Sequence, residues 1–262
     1  MNWRIGAVSY LNTKPLIYGL RELLPESQLV LDLPSRLADR LGAGELDVAL
    51  IPSVEFLRGR GLGIVSDACI ACHGPVRSVR VLFRKPPREV RTLALDEGSR
   101  TSAALAQVLL FERFGVRPTR QQLDIQASIE TCNADAILVI GDRAMNLDTR
   151  NFCDSWDLGA QWLLDTGLPF VFAMWVAREA VASELGEALQ QSREAGLLNL
   201  DSIVAAEAPR YGLTSASCQD YFRRHLHFYL GPRELQGLQL FADQAFAIGL
   251  APQAFNMEHA FA

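Results

Sequence analysis

The residues best suited to chemistry stand where strand-like runs give way to a loop or a helix: Tyr10-Leu11-Asn12-Thr13, Pro52-Ser53, Ser99-Arg100-Thr101-Ser102 and Gly141-Asp142. In open α/β sheets, ligands bind beyond the carboxyl ends of strands. Helix starts at that edge offer free backbone N–H groups and a positive dipole end, which favour anions. The third loop carries the strongest signal. It follows Gly98 and places three hydroxyls and one arginine at a helix start, a cradle suited to a carboxylate or a phosphate. The same hydroxyls would serve as plain N-caps, and the residues alone leave both readings open. Asn12 follows the first strand-like run, and its carboxamide can donate and accept, so it could orient a hydroxyl and a carboxylate together. Taken alone, an Asx turn into the next helix is the simpler account.

Conventional catalytic groups are sparse. The four histidines are His73, His225, His227 and His259. There is no G-x-S-x-G elbow, no H-E-x-x-H, no phosphate-binding G-x-x-x-x-G-K-[ST] and no G-x-G-x-x-G. Cys69-Ile70-Ala71-Cys72-His73 matches the C-x-x-C-H pattern of covalent haem attachment, but it lies inside an apolar, strand-like run. Small buried thiols are the simpler reading. A zinc site built on that pair would need a second pair of ligands, which Cys132 and Cys153 do not form.

These loops need a frame to hold them. Strand-like runs cover 3–10, 28–33, 47–51, 63–72, 76–83, 92–95, 123–127, 135–140 and 170–177. Helical spacing covers 14–24, 36–41 behind a Ser35 cap, 101–114, 158–164, 179–195, 215–229 and a last helix opened by Gly231-Pro232. Alternation of this kind predicts an α/β fold with mainly parallel sheets. Breaks at Pro86-Pro87 and near Pro169 bracket a central segment with its own strands. Two crossovers would then make two lobes around a central cleft: residues 1–84 with 172–262, and residues 85–171.

A composition of 49% hydrophobic and 21% charged residues with a net charge of -5 suits a globular chain with a real core. No basic face suggests nucleic acid, and no apolar run approaches a membrane span. The N-terminus shows no leader pattern, and five cysteines are an odd number, so a cytoplasmic protein with reduced thiols is expected.

Longer stretches resemble the chorismate dehydratases of the futalosine route to menaquinone. They are Arg4-Ile5-Gly6-Ala7-Val8-Ser9-Tyr10-Leu11-Asn12-Thr13-Lys14-Pro15-Leu16, Leu46 to Glu55, Val76-Arg77-Ser78-Val79, Ser99 to Ser102, Ile140-Gly141-Asp142, and Trp162 through Leu168 to Trp175. The resemblance implies a type II periplasmic-binding-protein-like fold and loss of water from chorismate, giving 3-[(1-carboxyvinyl)oxy]benzoate. It implies no metal and no organic cofactor, with the substrate's own enolpyruvyl carboxylate taking the proton. Asn12 and Ser78 are carried over as the catalytic pair, holding that carboxylate and the departing hydroxyl. The Ser99, Arg100, Thr101 and Ser102 loop would bind the other carboxylate. Tyr10, Ser53 and Asp142 complete the expected substrate-binding set, with Asp142 alternatively orienting a loop. Rival readings are a solute-binding protein for a small anionic acid, a sensor of an aromatic acid, and the histidine-dependent enzyme that forms dihydroxynaphthoate later in the pathway. The sequence leaves the oligomeric state open.

Overall fold

The computed structural model describes residues 2–58, 62–178 and 183–252. Among these are strands β1 (Arg4–Val8), β2 (Gln28–Asp32), β3 (Val48–Pro52), β4 (Gly63–Cys72), β5 (Val79–Phe83), β6 (Thr92–Asp96), β7 (Thr119–Leu123), β8 (Ala136–Ile140), β9 (Asp154–Asp157), β10 (Phe170–Ala177) and β11 (His227–Tyr229). The helices are α1 (Leu20–Leu23), α2 (Pro34–Gly42), α3 (Ser53–Leu57), α4 (Thr101–Phe114), α5 (Leu158–Thr166), α6 (Ser183–Leu198), α7 (Leu200–Glu207), α8 (Ser215–Asp220) and α9 (Pro232–Ala247). No helix of the described residues is long and apolar enough to cross a membrane.

The strands form two sheets, one per lobe. The first runs β11-β4-β10-β3-β1-β2 and the second β7-β6-β8-β5-β9. Strands β3, β8 and β10 are buried along their whole length, as expected of central strands covered on both faces. One large core spans both lobes. A smaller cluster around Leu82, Ile137 and Val139 fills the outer face of the second sheet.

Both sheets are mixed rather than mainly parallel. β1 pairs in parallel with β2 and β3, and β6 with β7 and β8. β10 runs antiparallel to β3 and β4, and β5 antiparallel to β8 and β9. The reason is where the chain changes lobe. β1, β3, β6 and β8 end at the space between the sheets, whereas β5 and β10 begin there after crossing and must run the other way.

That topology corrects the expected boundaries. Val79–Phe83, assigned to the first lobe, is a central strand of the second sheet, and Phe170 pairs with Cys72 in the first. The crossovers are therefore residues 73–78 and 158–169. Pro87–Glu89 is a 3-10 turn between strands of one sheet. Two prolines mark a break in the ladder, but only long-range pairing decides which sheet resumes after it.

Other corrections are local. The helix over 14–24 is a 3-10 segment, Leu11–Ile17, followed by the short α1. Leu33, not Ser35, caps α2, with Pro34 in its first turn. The helix over 215–229 stops at Asp220 and passes through a π turn, Tyr221–His225, into β11. Residues 179–182 of the expected helix 179–195 lie outside the described residues.

The Leu11–Ile17 segment carries Asn12, and two helices clamp it. Ser192 of α6 shares its one hydroxyl proton between the carbonyls of Leu16 (3.0 Å) and Tyr18 (2.9 Å), and Lys14 pairs with Glu207 of α7 at 3.2 Å. Gly196 permits the closest approach: a Cβ there would lie 2.1 Å from the Pro15 carbonyl oxygen. Backbone cannot yield as a flexible side chain does. Gly196→Ala should cost about 1–3 kcal/mol and lower Tm by about 2–4 °C per kcal/mol, read by calorimetry; an unchanged Tm would contradict the close contact.

Candidate functional site

A cleft opens where β1, β3, β6 and β8 end and the crossovers begin. Its walls are largely apolar, from Val8, Ile70, Val76, Val79, Ile140 and Phe172, with polar groups from Tyr10, Asn12, Ser78 and Ser99 to Ser102. This is the usual make-up of a small-molecule site, apolar walls with a few convergent polar groups.

Tyr10 reaches from the first lobe into the second. A Cβ on Gly98 would lie 2.8 Å from its hydroxyl, and one on Gly141 3.1 Å from its ring. The two glycines therefore make room for the ring, and Gly141 also needs its φ of +70°. The Tyr10 hydroxyl is buried and makes no hydrogen bond to protein, and the same is true of Ser99 Oγ. Burial, reinforced by the charges of Asp96 and Asp142, pushes the Tyr10 phenol well up, so it stays a neutral donor. A buried donor without a partner is costly, and these two border the cleft.

Arg100 stands at the N-cap of α4 and no side chain caps that helix. The hydroxyls expected to cap it do other work or face the cleft. Ser53 donates its one proton to the Val171 carbonyl at 2.7 Å. Thr101 then donates to Ser53 Oγ (3.3 Å) while accepting the Val54 N–H (3.2 Å). The first-turn N–H groups of α4 are thus left to whatever the cleft holds.

Asn12 and Ser78 meet through a residue that sequence reasoning missed. Tyr221 donates to Ser78 Oγ at 2.8 Å, and the Asn12 carboxamide stands beside the same phenol. Tyr221 is fully buried and opens the π turn. Such turns are frequent at functional sites, but an apolar-looking helix pattern conceals them. Ser78 is presented by a strained backbone, because Arg77 has φ +62°. Asp157 holds that turn by accepting the N–H groups of Val76 (2.9 Å) and Arg77 (2.7 Å) while capping α5 through Ala160.

Three of the expected substrate-binding residues also make contacts across the seam between the lobes. Ser53 and Asp142 do not line the cleft. Ser53 bonds as described, and Asp142 accepts the Leu11 N–H at 3.2 Å. Arg100 does line it, but its guanidinium is held by Asp39 (2.6 Å) and by Glu55 (3.3 Å), a buried carboxylate that also pairs with Arg58. Among the described residues no other charged side chain lines the cleft, and no histidine does. His225 bonds the Pro75 carbonyl and Asp220, and His73 and His227 gather at Glu234. His259 lies outside the described residues. Cys69 and Cys72 are buried in β4, and burial pushes the Cys72 thiol up to about 12; a haem could not reach them.

A family model described as menaquinone biosynthesis matches residues 3–247. A chorismate dehydratase of Thermus thermophilus is 32% identical over 274 residues, covering 96% of this chain and 97% of that one. A chorismate dehydratase of Campylobacter jejuni is 30% identical over 174 residues, covering 64% of each. Among solved structures, a protein from Archaeoglobus fulgidus superposes with a TM-score of 0.75 at 16% identity, covering 95% of this chain and 98% of that one. The periplasmic aliphatic sulphonate binding protein of Escherichia coli gives 0.63 at 15% identity, covering 100% and 92%. The fold is thus periplasmic-binding-protein-like, as the family resemblance implied.

Asp142 gives a pH signature. Burial, partly offset by the Leu11 N–H and Lys14, raises its carboxyl from 3.8 to about 6. The folded state then binds a proton more readily than the unfolded state, so this group's contribution to stability falls as pH rises from about 4 to about 6. Asp142→Asn keeps an acceptor for Leu11 and removes the charge. It should raise Tm at pH 7 and flatten the Tm profile across that window; a profile identical to wild type would refute the shift.

Proposed function

The chain belongs to the menaquinone-biosynthesis family, and we propose that its cleft binds chorismate and eliminates water from it as a hydro-lyase, giving 3-[(1-carboxyvinyl)oxy]benzoate. The observation that carries the reading is a cleft rich in neutral donors and free of a protein base among its described lining residues, in a chain 32% identical to a chorismate dehydratase along nearly its whole length.

The chemistry needs little more. The proton on ring carbon 3 is acidified through the diene by the ring carboxylate. Its removal gives a dienolate that expels the neighbouring hydroxyl; one C–H and one C–O bond break, water leaves, and the ring becomes aromatic. The enolpyruvyl carboxylate of the substrate can take the proton. The protein then supplies orientation and charge stabilisation. The first turn of α4, Ser99 and Tyr10 suit one carboxylate. Asn12 and Ser78, tied through Tyr221, suit the enolpyruvyl carboxylate and the departing hydroxyl. Tyr221 acts as a positioning residue, since it reaches the cleft only through these two.

The histidine-dependent alternative finds no support, because no described histidine lines the cleft. The curated relatives are named for a biosynthetic activity, which supports a cytoplasmic location.

Chorismate mixed with the purified protein should give a product lighter by one water that keeps its enolpyruvyl group, followed by chromatography with mass detection. Unchanged chorismate with a raised Tm would instead indicate a binding protein. Asn12→Ala should lower kcat about 100-fold or more with the fold intact, and near-wild-type turnover would remove Asn12 from the mechanism. Tyr221→Phe deletes one hydroxyl and should lower kcat roughly tenfold with little change in KM; a loss confined to Tm would make it purely structural.

A further inference from the structure

We propose that His73, His227 and Glu234 form a binding site for a divalent transition-metal cation of the zinc type, separate from the cleft. The donor atoms of the three side chains all lie within 4.8 Å of one another. His73 Nε2 is 2.6 Å from Glu234 Oε1, and His227 Nε2 is 3.7 Å from the same oxygen. A tetrahedral ion held at about 2.0–2.1 Å from nitrogen and oxygen ligands sets them about 3.4 Å apart, and the two separations straddle that value. Two imidazoles and one carboxylate suit zinc and its neighbours and disfavour magnesium or calcium, which prefer oxygen.

The site is built rather than accidental. The imidazoles lie side by side, tilted 30° with ring centroids 4.1 Å apart, and both reach the same carboxylate. Glu234 is buried, and its second oxygen accepts the Gly231 N–H at 3.0 Å, which fixes the first oxygen toward the histidines. Ligating carboxylates are commonly oriented by such an outer bond. Half the His73 side chain is exposed, which gives an ion a path in and a water ligand in its remaining position.

None of the three residues lines the cleft, so the ion is no part of the dehydration. They come from the end of β4, from β11 and from the first turn of α9. An ion would cross-link a sheet edge to the last described helix, and that helix packs against the turn before β10 so closely that a Cβ on Gly237 would lie 2.2 Å from the Pro169 carbonyl oxygen. The proposed role is a structural clip.

The test is a titration of chelator-treated full-length protein with Zn(II) alone, read by calorimetry and by Tm, and repeated with Co(II) to record its absorption spectrum. Wild type should bind one ion per chain with a rise in Tm. His73→Ala, His227→Ala and Glu234→Gln should each weaken binding about 100-fold or more, abolish the Tm rise, and leave chorismate turnover unchanged. A Cys132→Ser/Cys153→Ser protein should bind as wild type does. No binding by wild type, binding unchanged in His73→Ala and His227→Ala, or binding lost with the two cysteines would overturn the proposal. A failure of the dehydratase reading would leave these titrations untouched.

Discussion

The structure depends on one aromatic ring crossing a gap. Tyr10 leaves the first lobe and lies against two positions of the second, Gly98 and Gly141, that carry no side chain. Around that wedge the seam closes: Leu11 on Asp142, Val54 on Thr101, Arg100 on Asp39 and Glu55. Each of these contacts joins a residue of one lobe to a residue of the other. The cleft is the space these contacts leave between them. Larger residues at 98 or 141 would displace the ring and, with it, the segment that carries Asn12.

The seam also sets the electrostatics. Across the seam the Arg100 guanidinium is held by Asp39 and Glu55, and the Asp142 carboxylate by the Leu11 N–H. Neutral donors remain: a phenol, hydroxyls, a carboxamide and the first turn of a helix. Inside a region of low effective dielectric such donors stabilise an anion without themselves needing a counter-charge. They also leave the substrate's own carboxylates as the strongest bases within reach, which suits a reaction in which one of them removes the proton.

Much of this was legible in the sequence where the signal is local. α4, β4 and β10 lie where periodicity put them, because apolar runs and helix-ending glycines are properties of a few adjacent residues. The Tyr10–Asn12 and Ser99–Ser102 loops lie at the cleft because both follow strands. The misreadings required information from far along the chain. Whether Val79–Phe83 joined one sheet or the other depended on pairing with β8, some sixty residues later. Tyr221 was hidden because its hydroxyl meets Ser78 across 143 positions. Ser53 stands at a strand end where the sequence put it, and the placement of Val171 and Thr101 shows where its proton goes. The haem-like spacing Cys69 to His73 concealed a different grouping, since the histidine turns to Glu234 while both thiols point into the core.

The crossovers carry a kinematic consequence. Ser78 belongs to neither sheet: it is the last residue of the 73–78 connection, and the second connection, 158–169, returns beside it, with Asp157 bonded to both. Two bodies joined by a pair of adjacent connectors turn about a line through those connectors, and points on that line move least. Ser78 therefore sits near the axis of any opening, while Tyr10 and the start of α4 ride on the jaws.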